Sequence, residues 1–136
     1  MAATLKLEIV TPEAMIFSGE VDMVTLSGVE GEMGIMPGHE PVMTQLTAGE
    51  VTVRQSGQNL FLAVGDGFVQ ITATRVNVLT DMAIKADDID ETMAAEAMQR
   101  AEARLSQKLS DEESATVHAA LVHATTQLHV KRRHKK

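Results

Sequence analysis

Cysteine, tryptophan and tyrosine are absent from this chain, and its aromatic side chains amount to three phenylalanines. Without cysteine there are no disulfides and no thiolate metal ligands, a usage compatible with a reducing compartment. So few rings also deny the chain the stacking platforms on which single-stranded nucleic acids are held. No apolar run approaches the ~20 residues of a membrane-spanning helix, and polar residues interrupt positions 1–8 at once, unlike a secretory leader. The expectation is a soluble intracellular protein that does not enter the bilayer. The most informative absence is positional: all nine Gly and all three Pro lie at or before Gly67. Gly and Pro supply or fix the backbone angles that turns require. The first half must therefore turn often, whereas the second can run on unbroken.

Charge is as uneven as the turn residues. The formal total is −7, but five of the twelve Lys and Arg are Lys131, Arg132, Arg133, Lys135 and Lys136, so the body carries −12. An acidic body repels phosphate backbones, and no nucleic-acid partner is expected. The basic end has two readings. It is a solvated, frayed helix terminus that complements the macrodipole, or a contact for an acidic protein or phosphate surface.

In the first half Leu5, Leu7 and Ile9 alternate with Lys6, Glu8 and Val10, the period of a half-buried strand. Further strands are expected over 14–17, 21–26, 43–46, 49–54, 60–64, 68–72 and 75–79, separated by Gly- and Pro-bearing turns. Short strands at this spacing predict an antiparallel β-sandwich or flattened barrel over residues 1–86. Its core must rely on Val, Ile, Leu, Ala and the nine Met.

From Asp88 the period lengthens. Asp88-Ile-Asp-Glu91 has the spacing of a capping box, and Ile89, Met93, Ala97, Ala101, Leu105 and Leu109 recur every four residues. Glu96 stands four residues before Arg100, the favourable order for a helix-surface ion pair. Ser110-Asp-Glu-Glu113 is a second capping box, after which Val117, Leu121, Ala124 and Leu128 follow heptad-like spacing. Residues 87–136 are thus expected to form a two-helix antiparallel hairpin, and the fold class is α+β. No Gly caps the first helix, and Ser inside a helix costs only ~0.5 kcal/mol relative to Ala. The joint is weakly specified, so the segment could fold back or straighten, a two-state element.

Motifs for catalysis are missing. There is no phosphate-gripping G-x-x-x-x-G-K-[ST] loop, no H-E-x-x-H helix and no paired-Cys zinc pattern. Gly31-Glu-Met-Gly-Ile-Met-Pro-Gly38 has no Lys or hydroxyl for phosphate or Mg²⁺ and reads as a loop needing positive φ angles. His39 has no evident nucleophile beside it. His118, His123, His129 and His134 are spaced too widely for an adjacent ligand pair. The acids at 87–91 lack the glycine of a calcium loop and suit a helix N-terminus instead. Neither catalytic residues nor a metal nor a cofactor is expected.

The run Ser27-Gly-Val-Glu-Gly-Glu-Met-Gly-Ile-Met-Pro-Gly-His-Glu-Pro41 resembles the most recognisable segment of the epsilon subunits of F-type ATP synthases. Val10-Thr-Pro-Glu13, Phe17-Ser-Gly19, Leu46-Thr-Ala-Gly49, Val64-Gly-Asp-Gly-Phe68 and Val76-Asn-Val-Leu-Thr-Asp-Met-Ala83 support it in order along the chain. The likeness is strong over residues 1–86 and looser beyond. It implies a non-catalytic rotor subunit of the central stalk, peripheral on the cytoplasmic face of the bacterial inner membrane. Its implied partners are the gamma subunit, the polar loops of the c-ring and, through the C-terminal helices, the catalytic alpha/beta head.

By position, Glu32 and His39 would lie near the ring loops, within the motif that also contains Gly31, Gly34, Pro37 and Gly38. The helices resemble a regulatory arm that folds down on the sandwich or extends to obstruct ATP hydrolysis, its basic tail (Lys131, Arg132, Arg133, Lys135, Lys136) facing acidic catalytic subunits. Some relatives bind ATP on the hairpin through I/L-D-x-x-R-A. Here Asp90 remains, but Met93 stands where Arg is expected and cannot offer a guanidinium fork, which argues against a nucleotide there. A different class of function, a free-standing interaction adaptor with a mobile helical arm, fits the same composition.

Overall fold

The computed structural model describes residues 3–134. The strands are β1 (Leu5–Val10), β2 (Met15–Val21), β3 (Met23–Gly28), β4 (Gly31–Ile35), β5 (Val42–Leu46), β6 (Gly49–Gln55), β7 (Gln58–Val64), β8 (Gly67–Ile71), β9 (Arg75–Thr80) and β10 (Ala83–Lys85). A 3₁₀ turn over Ala86–Asp88 leads to α1 (Glu91–Leu105) and α2 (Asp111–Arg133).

All ten strands belong to one hydrogen-bonded sheet in the order β10-β7-β6-β3-β5-β8-β9-β1-β2, with β4 branching from β3. The sheet folds over until its far end returns to its middle: Gln55 Nε2, at the end of β6, donates to the carbonyl of Glu20 in β2 at 2.7 Å. The result is a sandwich close to a closed barrel. Pairing is antiparallel except between β1 and β9, which run parallel with Leu7 opposite Val76.

The alternation of β1 does what its pattern predicts. Leu5, Leu7 and Ile9 are fully buried, and join Val24, Leu26, Val51, Val53, Leu62, Val69, Ile71, Val76 and Val78 in one core. Every buried member of that core comes from β1–β9 and none from a helix. Aliphatic burial is worth about 1.5–3 kcal/mol per large side chain, so a core of this size needs little from its three Phe. A second, smaller cluster lies outside the sandwich. Ile89, Ala94, Leu128 and Val130 pack there on Ala63, with Phe61 and Ile84 alongside. The hairpin is therefore laid on the outer face of β7 and β10 and is not threaded into the core.

Four local expectations change. The glycine-rich run is not a loop throughout: its first five residues form β4, with Glu32 opposite Ser27 and Gly34 opposite Thr25. Gly31 and Gly38 do take positive φ, 123° and 89°, but Gly34 sits in ordinary strand geometry. The N-cap of α1 is Asp90, not Asp88, because Ala86–Asp88 closes its own 3₁₀ turn first; Asp90 Oδ1 accepts from the Met93 amide at 3.0 Å. The every-four stripe holds except at Met93, which is 66% exposed while its neighbour Ala94 is buried. A 3.6-residue turn returns to one face by alternating steps of three and four. Finally, among the described ion pairs Glu96 does not meet Arg100.

The joint between the helices holds no left-handed residue. Ser106 caps α1 in helical geometry (φ −79°, ψ −8°), and the chain reverses through 106–110 to an extended Ser110. There the second capping box forms as expected, Glu113 N donating to Ser110 Oγ at 3.2 Å and Ser110 N to Glu113 Oε1 at 3.3 Å. Ser110, through its side chain first and its backbone N–H second, holds the Glu113 carboxyl below the ordinary glutamate value, with Arg104 adding to the effect. A carboxyl lowered in the folded state stabilises above its unfolded value and loses that support as pH falls through the folded one. The start of α2 is thus weakened by acid.

Candidate functional site

Two surfaces of the sandwich carry side chains that its own core does not explain. On the first, the registers align Met15 with Val10, Val10 with Leu79, and Leu79 with Phe68, across β2, β1, β9 and β8. Residues opposite one another on neighbouring strands share a face, and Val10 alternates outward from Leu7 and Ile9. Met15, Leu79 and Phe68 are each more than half exposed, and Met43 of β5 adds a fourth exposed apolar side chain to the same face. A row of this kind on a sheet exterior has the chemistry of an interaction surface. A groove of about 460 Å³, lined by Val10, Pro12, Gly67 and Leu79 among others, runs along one end of it.

The second surface, on β6, β7 and β10, is covered by the hairpin. Glu50 of β6 and Ala63 of β7 are register partners there. Arg133 Nη1 reaches Glu50 Oε2 at 3.5 Å, His134 Nε2 bonds the other carboxylate oxygen, and the His134 ring stacks on Phe61 with centroids 3.6 Å apart. Higher up α2, His123 Nε2 lies 3.1 Å from Asp81 in the β9–β10 turn. Lys131 Nζ donates to the Ala86 carbonyl at 3.1 Å, and Arg132 Nε meets Glu91 at 3.1 Å.

The basic end is therefore helical through Arg133, with Lys131, Arg132 and Arg133 engaged by the sandwich and α1, where a frayed terminus was the simpler expectation. Lys135 and Lys136 fall outside the described residues.

The remaining expected site residues are dispersed. Glu32 is exposed near the start of β4, while Pro37, Gly38 and His39 lie in the loop that follows it. Glu32 stands three residues before Ile35, ~10 Å along the strand at strand spacing, while His39 N closes a turn onto the Met36 carbonyl at 3.2 Å. Gly38 N donates to the Ala73 carbonyl at 2.8 Å, and His39 Nδ1 meets the Glu40 carbonyl at 2.7 Å. A Cβ at Gly34 would touch only the end of Met23, at 2.8 Å.

Asp90 lines a cleft of about 400 Å³ between the helices with Asp88, Met93, Arg100 and His123. Among the described residues no three His, Asp or Glu converge on a metal position, and no helix is long and apolar enough to cross a membrane.

Glu50, Phe61, Asp81 and His134 escaped sequence reasoning because their pairings join residues as much as 84 positions apart. The outer row was closer to hand: Phe68 and Leu79 are apolar at positions whose strand neighbours, Val69 and Val78, carry the buried phase.

Comparison with known proteins bears on both halves of the chain. Residues 4–86 match the family model described as the beta-sandwich domain of the ATP synthase delta/epsilon chain, and residues 87–132 match its long alpha-helix domain. The chain is 46% identical over 111 residues to the ATP synthase epsilon chain of Desulforamulus reducens, covering 82% of this chain and 84% of that one. It is 42% identical over 126 residues to that of Herpetosiphon aurantiacus, covering 93% of each. Among solved structures, a chain of the Euglena gracilis mitochondrial ATP synthase OSCP/F1/c-ring assembly superposes with a TM-score of 0.74 at 26% identity, over 91% of this chain and 79% of that one. A chain of the Tetrahymena thermophila mitochondrial ATP synthase central stalk/c-ring shares the fold, with a TM-score of 0.57 at 11% identity over 91% and 96%. With both halves matched in order and relatives this similar over most of their length, the chain belongs to the ATP synthase delta/epsilon family, as an epsilon chain, a non-catalytic subunit of that complex.

Proposed function

We propose that this chain is a central-stalk rotor part of a proton-translocating F-type ATP synthase, joining the gamma subunit to the c-ring and restraining ATP hydrolysis through its helices. The division of labour follows the two packing units. Residues 1–86 form the coupling body, and residues 87–136 form the regulatory arm. The observation that carries the reading is the outer row Met15, Val10, Leu79 and Phe68. It lies away from the strands that the hairpin covers, so a shaft seated on it leaves the arm free to move.

The ring contact is assigned to the segment containing Gly31, Glu32, Gly34, Pro37, Gly38 and His39. An exposed carboxylate such as Glu32 suits an Arg of a polar ring loop, giving a charge-assisted hydrogen bond. When the arm extends, Lys131, Arg132, Arg133, Lys135 and Lys136 face acidic surfaces of the catalytic alpha/beta head, a contact that salt weakens. No cofactor is assigned, since Met93 lacks the guanidinium fork of the nucleotide motif. The working place is the cytoplasmic face of the bacterial plasma membrane, peripheral to it.

Replacing Phe68 and Leu79 together by Ser tests the shaft contact. Both side chains are exposed, so the fold is expected to stand while gamma affinity falls about 100-fold, the loss of two central apolar anchors. Titration of gamma against the double variant, with its folded state checked by circular dichroism, measures this. Affinity within threefold of the parent removes the row from the interface.

A further inference from the structure

We propose that Asp66, with the apolar hollows on either side of it, is a recognition site for a basic side chain of the gamma subunit flanked by apolar ones. The groove lined by Val10, Pro12 and Leu79 has a counterpart of about 440 Å³ lined by Val29, Leu46 and Phe68. Asp66 and Gly67 line both, so the carboxylate stands on the divide between them. The strand registers explain the arrangement. Gly67 is paired with Leu46 on one side and with Thr80 on the other, which puts β5 beside one hollow and β9 beside the other.

The carboxylate is held in place but not neutralised. Its Oδ1 accepts from the Ala48 amide at 3.0 Å, and its backbone carbonyl accepts from Thr80 Oγ1 and from the Asp81 amide, both at 3.1 Å. Asp66 is exposed and, among the described residues, joins no ion pair. No basic residue lines either hollow, and the second charge there is another acid, Asp81, which His123 already meets.

A carboxylate between apolar walls selects its visitor by charge. A Lys or Arg lays its aliphatic stem on apolar surface and offers its charged head to the oxygen. A purely apolar segment would instead desolvate Asp66 without giving it a partner, and an acidic one would be repelled. The acidic excess of the body extends the same preference to longer range. Val10, Leu79 and Phe68 belong to the outer row as well as to the hollows, so the site is the charged margin of that row. The inference rests on the reading of the row as the seat of gamma, and adds the chemistry that gamma must bring to it.

Asp66→Asn tests it, since Asn keeps an oxygen for the Ala48 amide and removes the charge. The affinity of the full chain for purified gamma is expected to fall about tenfold at ~50 mM salt but less than about threefold at ~500 mM, where screening is far stronger. Glu40→Gln removes the same charge beyond the opposite end of β5 from Leu46 and is expected to leave affinity within twofold. A loss below threefold at low salt overturns the inference. So does an equal loss at both salt concentrations, as a packing defect would give, or a loss that Glu40→Gln matches. The parent supplies a reading that needs no variant: gamma affinity that does not weaken with salt also overturns it. Should Phe68→Ser with Leu79→Ser lose gamma while Asp66→Asn keeps it, this inference falls and the seat on the outer row stands. A parent chain that does not bind gamma removes both.

Discussion

Gly67→Ala is expected to destabilise the sandwich by roughly 3 kcal/mol or more and to lower its melting temperature by about 10 °C. A Cβ at this position lands 1.9 Å from the carbonyl oxygen of Leu79 and 2.8 Å from Leu79 C and Thr80 Cα. Those atoms are backbone, and they are fixed. Gly67 is in register with Thr80 and Phe68 with Leu79, while Thr80 Oγ1 bonds the Asp66 and Met82 carbonyls, both at 3.1 Å. Strand β9 cannot retreat without breaking its pairing with both β8 and β1.

Gly65, two residues earlier, makes the informative contrast. Its Cβ would meet Asp81 Oδ1 at 1.9 Å and His123 Nε2 at 3.1 Å, the ends of flexible side chains. Gly65→Ala should therefore spare the core and loosen the hairpin. Thermal denaturation of both variants checks the pair, and a Gly67→Ala chain within 1 kcal/mol of the parent would show that the turn yields where its contacts say it cannot.

Ending the chain at Ala86 is expected to leave a cooperatively folded sandwich and to raise ATP hydrolysis severalfold in a complex assembled with it. The packing argues for the first part. None of the buried residues of the larger core lies beyond Val78, so truncation removes no member of it. What is lost is the outer cluster of Ile89, Ala94, Leu128 and Val130, which leaves Phe61, Ala63 and Ile84 uncovered. That exposure favours association of the truncated chain at high concentration but does not hollow the core.

The second part follows from the arm's proposed place in the catalytic head. Hydrolysis by the assembled complex, with and without residues 87–136, is the check. An unchanged rate in a complex shown to contain the truncated chain would remove the restraining role.

The larger architecture was legible before any coordinates because burial imposes simple periods. The alternation of Leu5, Leu7 and Ile9 fixed a buried face that the sheet respects, and the heptad-like Val117, Leu121, Ala124 and Leu128 lie on the buried or half-buried side of α2. What was missed has equally physical causes. Strand β4 escaped because Gly31 and Gly34 signal a loop when read locally, yet Ile35 anchors the segment in the core opposite Val24. Three-residue β10 is too short to show any period, and exists because Ile84 and Ala83 find partners on β7.

The cap of α1 moved from Asp88 to Asp90 since two acids at that spacing offer competing starts, and the 3₁₀ turn that takes up Asp88 decides between them. Of the docked end, the sequence announced charge but not its partners. Glu50 and Phe61 become meaningful only once β6 and β7 lie under α2. The glycine-rich segment over 31–39 stood out in the sequence by family likeness, whereas the outer row needed the strand registers to assemble it from β2, β1, β9 and β8.

The division into a gripping body and a separable arm is tested most directly by the gamma affinity of a chain ending at Ala86, measured beside the full chain under the same conditions. Dissociation constants within about twofold of each other are the expected result, because the outer row lies wholly in the retained strands and RT ln 2 is only ~0.4 kcal/mol. Loss of gamma binding by a truncated chain that is still folded would contradict it, and would place the grip in the helices.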